Sequence, residues 1–178
     1  MVNETRKVFD MNKETLHKIR IKNDYNLMRC MQNHPVVSWV ATKGNAPYIE
    51  EYLLTIKLKI YINKTEVTDC EIIRLTLPLD YPFVAPIVVI ESSPIFHPDW
   101  WYESRRWNCG CYHARESLFD FTVRMMKSLQ YRADSINPYS PCSREAANWY
   151  IENKDNHDMF PTDNQELPMI SANLDVTD

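Results

Sequence analysis

The sequence predicts an α+β fold: an N-terminal helix, a four-stranded antiparallel meander sheet, and then C-terminal helices. Three observations carry this. Apolar residues recur at helical spacing between residues 13 and 33. Four stretches between Val36 and Ile90 alternate or run apolar, with short turns between them. Two further helical patterns, over 117–131 and 143–150, follow the last strand.

The first helix rests on Leu16, Ile19, Leu27 and Met31, with Asn23 interrupting the stripe. His34-Pro35 ends it, because proline pushes the residue before it out of the helical region. Val36 to Ala41 reads as a short strand closed by a turn at Lys43-Gly44-Asn45. Tyr52 to Ile62 is the clearest strand, since Leu54, Ile56, Leu58, Ile60 and Ile62 alternate with Thr55, Lys57, Lys59 and Tyr61. Asn63-Lys64 marks a turn, Glu71 to Leu77 alternates again, and Ile87 to Ile90 is a continuous apolar run suited to a strand covered on both faces.

Ser117 to Tyr131 predicts a helix with a wide apolar arc. Leu118, Phe121, Val123, Met125, Met126 and Leu129 fill that arc, and Asp120, Arg124 and Lys127 form the polar stripe. Ser143 is placed to N-cap a last helix through Tyr150, with Glu145 in its first turn. Beyond Lys154 the composition turns polar and acidic. The expected organisation is therefore one domain over residues 1–153 and an acidic C-terminal tail, 154–178, that adds little core.

Composition narrows the function. The chain has 178 residues, 44% hydrophobic and 12% aromatic, enough for one core. A formal charge of −4 with no long Lys/Arg run points away from nucleic acid. The apolar runs are too short to span a membrane, and the polar Met1-Val2-Asn3-Glu4 start is unlike a signal peptide. Five irregularly spaced cysteines do not form a secreted disulfide framework, so a reduced, cytoplasmic setting is expected. Gly44 and Gly110 are the only two glycines, which excludes a glycine-rich phosphate cradle.

The chemistry-bearing residues lie between Leu77 and Tyr150. Tyr81-Pro82-Phe83 with Pro86 is a proline-rich turn, and Pro94-Ile95-Phe96 a rigid loop leading into His97-Pro98-Asp99. Cys109-Gly110-Cys111 follows, then His113, the apolar helix, Asn137-Pro138-Tyr139-Ser140-Pro141 and the capped last helix. A cysteine combines strong nucleophilicity with a thioester that preserves acyl reactivity. Either Cys109 or Cys111 can serve. His113, four residues past Cys109, and Arg105 and Arg106 before it can depress a thiol pKa. Alternatively His113 caps the central helix and the arginines are solvated. The C-x-C-x-H array of Cys109, Cys111 and His113, with His97 or Cys142, also has the residue types of a zinc site, at tighter spacing than usual. Trp100, Trp101 and Trp107 form either a recognition surface or, by preference, an apolar lid over this loop.

This succession of parts resembles the ubiquitin-conjugating enzymes: a tyrosine-proline turn, a histidine-proline motif, a nucleophilic cysteine and a late proline-rich lead into the last helices. The resemblance spans about half the chain directly and about four-fifths with the preceding strands. It implies a carrier that takes a ubiquitin-like modifier protein from an activating enzyme as a cysteine thioester and passes it to an amine, with a ligase or target protein as further partner. No cofactor is implied, since the activating enzyme consumes the ATP. The implied site is Cys109 (alternative Cys111), His97, Asp99 and His113. Cys109 is preferred because its spacings to the histidine and to the helix deviate less from the family's. His97 is implied to be largely structural. Asp99 stands where the family has asparagine, whose amide stabilises the oxyanion, and an ionised carboxylate would repel that oxyanion. Gln130-Tyr131 and Trp149-Tyr150 look closer to bacterial members, which often accompany a ubiquitin-like protein and an activating enzyme, some in antiviral operons. Two alternatives stand beside the carrier: a non-catalytic modifier- or partner-binding module of the same fold, and a zinc-stabilised interaction domain.

Overall fold

The computed structural model describes the backbone of residues 2–170 and the side chains of residues 13–170. Helix α1 spans Val2–Met28 and tightens into one 3-10 turn at Arg29–Met31. It starts well before residue 13, because no glycine or proline breaks the chain there. It stops before His34 because the Trp39 indole N–H donates to the Met28 carbonyl at 2.8 Å and takes over the helix end.

The buried face of α1 also differs from the expected stripe. Ile21, Asp24, Met28 and Met31 point inward, while Leu16 and Ile19 are about half exposed. The stripe was obscured because one inward position is an aspartate. Its carboxylate accepts from Arg20 Nε (2.6 Å), from the Tyr81 hydroxyl (2.5 Å) and from the Leu118 backbone N–H (2.9 Å). Asp24 thus ties α1 to the tyrosine-proline turn and to the start of the central helix, a buried carboxyl held by three donors.

The sheet is an antiparallel meander in which β1 (Val37–Asn45), β2 (Tyr48–Ile56), β5 (Glu71–Thr76) and β6 (Ile87–Ile90) lie side by side in that order. The first hairpin turns at Ala46-Pro47, later than the expected Lys43-Gly44-Asn45. Two register shifts around Lys43 absorb the extra length. Gly44 sits there at φ +85°, where a Cβ would fall 2.2 Å from the Tyr48 carbonyl oxygen, so only glycine fits.

The expected long strand through Ile62 is cut short. Its alternation is real, since Tyr52, Leu54, Ile56, Leu58 and Ile60 are all buried. However, the chain leaves the sheet at Lys57, and β3 (Ile60–Tyr61) pairs instead with β4 (Val67–Thr68). Periodicity reports which side is covered and not which strand supplies the hydrogen bonds. The Asn63 turn forms as expected, its side-chain oxygen accepting from the Thr65 and Glu66 N–H groups at 2.9 Å each.

Helix α2 (Leu118–Leu129) is N-capped by Ser117, whose hydroxyl accepts from Asp120 N–H at 3.0 Å, and α3 (Arg144–Asn153) by Ser143 in the same way. Helix α1 packs on β2 and on α2, and Leu54, Ile73, Phe121 and Met125 are fully buried in one core. A second, aromatic cluster of Tyr131, Trp149, Tyr150 and Phe160 sits beside it.

Phe160 belongs to the expected tail, and the expectation that the tail adds little core fails as far as Pro168. Phe160 stacks on Tyr131 at 5.0 Å between ring centroids. The Asp163 carboxylate accepts from the Lys59 N–H (2.8 Å) and the Gln130 amide (2.6 Å), Leu167 packs on the main core, and Pro168 is buried. A polar composition conceals such anchors because few are needed. Residues 171–178, the end of that tail, lie outside the described residues.

Candidate active site

After β6 the chain makes the proline loop and returns against the sheet. Ile90 N–H donates to Arg105 O (3.0 Å) and Trp107 N–H to Val88 O (3.1 Å), so residues 105–107 run along β6. Residues 99–101 then pair with 106–108: Trp101 N–H donates to Arg106 O at 2.9 Å and Asn108 N–H to Asp99 O at 2.8 Å, with Trp100 opposite Trp107. This pairing brings the histidine-proline motif beside Cys109. Trp100 and Trp107 are buried as the lid, while Trp101 is half exposed.

His97 is fully buried. Its Nε2–H donates to the Ser128 carbonyl of α2 at 2.8 Å, and its Nδ1 accepts the Asp99 N–H at 3.0 Å. These two bonds fix one neutral tautomer. Burial pushes its pKa down to about 4, only partly opposed by the Ser128 bond. His97 is therefore a brace between the loop and α2, with no free nitrogen to act as a base.

The Asp99 carboxyl is also buried, and burial pushes it up to about 6. The Asn137 N–H and the Ser128 hydroxyl, each at 3.4 Å, favour its ionised form without cancelling the desolvation. Asp99 lines a cleft of about 450 Å³ together with Trp107, Asn108, Cys109, Arg124 and Asn137.

Cys109 is half buried in that cleft, whereas Cys111 is exposed and is not among the cleft's residues. Burial pushes the Cys109 thiol up, and the Arg124 guanidinium is the main influence holding it down. Arg124 does more than occupy the polar stripe of α2. Its Nη1 donates to the Cys109 carbonyl at 2.6 Å. Its Nε and Nη2 grip both oxygens of Glu116 at 2.7 and 2.8 Å, and it lies 5.3 Å from the Trp107 and Phe121 ring centres. The loop carrying the thiol is thus anchored to the central helix.

Other expected members lie elsewhere. His113 is exposed, is not among the cleft residues, and does not cap α2, where Ser117 takes that role. Arg105 donates to the Ser92 carbonyl at 2.8 Å, and Arg106 is a minor influence lowering the Cys109 pKa. The C-x-C-x-H array does not converge: among the described residues no three His, Cys, Asp or Glu side chains gather into a possible metal site. Cys142 is half buried near Asn108, its backbone N–H on Pro98 O at 2.7 Å and its thiol pushed up by burial. Sequence reasoning missed Asn108, Arg124 and Ser128. Arg124 left a trace as a member of the polar stripe of α2, and Ser128 as a small polar residue within the apolar arc of the same helix.

The helix, four-stranded meander and C-terminal helices make the fold that of the ubiquitin-conjugating enzymes. Among solved structures, the chain is similar to S. cerevisiae Ubc12, at 18% identity over 85% of this chain and 82% of that one, with a TM-score of 0.54. It is also similar to a protein described as a novel ubiquitin-conjugating enzyme, at 14% identity over 76% of this chain and 86% of that one, with a TM-score of 0.51. No family model matches the chain, and no curated protein matches it in sequence. Among the described residues no helix is long and apolar enough to cross a membrane.

Proposed function

We propose that the chain is a conjugating enzyme that carries a ubiquitin-like modifier as a thioester on Cys109 and transfers it to an amine. The observation that carries this reading is the cleft shared by Asp99 and Cys109, with the thiol loop tied to α2 by Arg124. The Cys109 thiol loses its proton and attacks the modifier's carboxyl carbon, held as a thioester on an activating enzyme. The S–C bond to Cys109 forms as the activating enzyme's thiolate leaves. An amine then attacks the same carbon, a C–N bond forms, Cys109 leaves as thiolate, and the amine nitrogen gives up a proton. That proton goes to solvent, and above pH 6 the ionised Asp99 carboxylate in the same cleft opposes the oxyanion formed on the way. In this reading the partners are the modifier, its activating enzyme and a target or ligase. The bacterial-type, antiviral setting that Gln130-Tyr131 and Trp149-Tyr150 suggest belongs to the same proposal.

The test is adduct formation with a candidate modifier, its activating enzyme and ATP. C109S should give a thiol-resistant ester or no adduct, and C111S should keep the thiol-sensitive adduct. The reverse pattern would transfer the role to Cys111. A second reading, a non-catalytic module binding a modifier or partner, is favoured by the anion at Asp99 and the raised thiol pKa. It predicts binding with no adduct in any variant.

A further inference from the structure

Transfer through a cysteine thioester passes through a tetrahedral oxyanion, which needs a hydrogen-bond donor in a site partly screened from water. Asp99 cannot supply one when ionised. The remaining donors around the cleft can be sorted by their existing bonds. Arg124 spends its Nε–H and one N–H of each terminal nitrogen on Glu116 and the Cys109 carbonyl, which pins the guanidinium to those partners, and the Trp107 indole N–H is buried away from the cleft surface. The Ser135 hydroxyl donates to the Asp134 carboxylate at 3.0 Å. Asn137 lies on the opposite wall, with its side-chain oxygen facing the Tyr139 N–H at 3.3 Å.

Asn108 differs from all of these. It stands directly across the strand pair from Asp99, joined by its N–H to the Asp99 carbonyl at 2.8 Å. Its side-chain oxygen reaches past Cys109 to accept the Gly110 N–H at 3.2 Å, so the amide brackets the cysteine. That bond fixes which end is oxygen and leaves the NH₂ as the donor end. The Asn108 side chain also favours the Cys142 thiolate, and an NH₂ with two hydrogens can serve that thiol and a second acceptor together. Gly110 adopts φ +61°, a left-handed conformation that favours glycine, in the turn beside Cys109.

We infer that the Asn108 side-chain amide is the oxyanion donor of this site, the donor having moved one position across the strand pair from Asp99. The inference rests on the thioester-carrier reading. Asn108 would hydrogen-bond the carbonyl oxygen of the acyl group on Cys109 as negative charge builds there, in loading and in discharge alike.

The test uses the full chain and ubiquitin mercaptoethanesulfonate thioester as a chemical acyl donor, which exchanges onto a thiol without an activating enzyme. The adduct is isolated and its discharge to free lysine followed. N108D keeps an oxygen for the Gly110 N–H but lacks the donor, and N108A lacks both. Discharge from each should fall on the order of a hundredfold, the scale of losing one oxyanion donor. Iodoacetamide alkylation of Cys109 in the uncharged N108A, a displacement at a saturated carbon that forms no oxyanion, should hold within about twofold of wild type.

Discharge from N108D within about threefold of wild type would overturn the assignment. A parallel loss of alkylation would also overturn it, showing that Asn108 only shapes the loop. So would N137A slowing discharge where N108A does not. If wild-type Cys109 alkylates normally yet never takes the acyl group, the carrier reading itself falls and the role of Asn108 falls with it.

Discussion

The backbone N–H of Asp99 donates to Nδ1 of His97, so a buried neutral imidazole and a buried carboxyl share one short loop with their pKa values displaced in opposite directions. His97 titrates near 4 in the folded chain against 6.5 ordinarily, and Asp99 near 6 against 3.8. Acidification toward pH 4 therefore loses stability at His97, because the unfolded chain takes up that proton first. At Asp99 stability is gained, because the folded chain takes up its proton first. Between about pH 4 and pH 6 the two proton counts match, and the pair contributes almost no slope.

D99N should expose the histidine's side of this balance. Its stability should fall by on the order of 3 kcal/mol between pH 6.5 and pH 4, beyond any change in wild type, and should exceed that of wild type at pH 8. Denaturant melts across that range measure it, and parallel curves for the two proteins would refute the pairing.

The same substitution bears on transfer. Above pH 6 the ionised Asp99 faces the developing oxyanion, so D99N should leave loading of Cys109 intact and speed discharge to free lysine severalfold. Slower discharge, with loading kept, would establish the carboxylate as the proton acceptor for the amine.

R124M should free the Cys109 loop and leave Glu116 without its cation. The Cys109 thiol should move further up, so that iodoacetamide alkylation near pH 8, read by peptide mass, slows severalfold. Stability should fall by about 1–3 kcal/mol, the scale of stranding a hydrogen-bonded group. R124K, which keeps the charge without the two-pronged grip, should recover part of the alkylation rate.

Truncation after Asn153 should be costly, against the compositional expectation of a dispensable tail. F160A alone should cost about 3–5 kcal/mol, a loss of roughly 10 °C in Tm for a chain of this size. A drop below about 3 °C would show that Tyr131, Trp149 and Tyr150 close over the gap.

Legibility from sequence followed how local each cause is. Ser143 caps α3 through a bond to the residue three positions on and was readable as its cap, whereas at α2 the same bond comes from Ser117 and not from His113, the residue the sequence offered. The burial of Leu58 and Ile60 was readable too, but not their departure from the sheet, since pairing depends on residues far along the chain. Asp24 hid the true face of α1 because its three partners come from the same helix, the Tyr81 turn and Leu118. At the candidate site the His97 motif and Cys109 were visible as residue types. The reach of Arg124 to Cys109, fifteen residues away, and the register that sets Asn108 opposite Asp99 exist only once the loop is folded.

The return of residues 105–107 along β6 has a consequence for how this protein fails. The outer rim of a sheet is a row of open donors and acceptors that another chain can copy onto. Here the rim of β6 is occupied by the segment that leads directly into Asn108 and Cys109. Damage to that segment would bare the rim, so loop variants that lose function are to be sought in the insoluble fraction as well as the inactive one. Cover for the rim and the position of Cys109 rest on the same few hydrogen bonds.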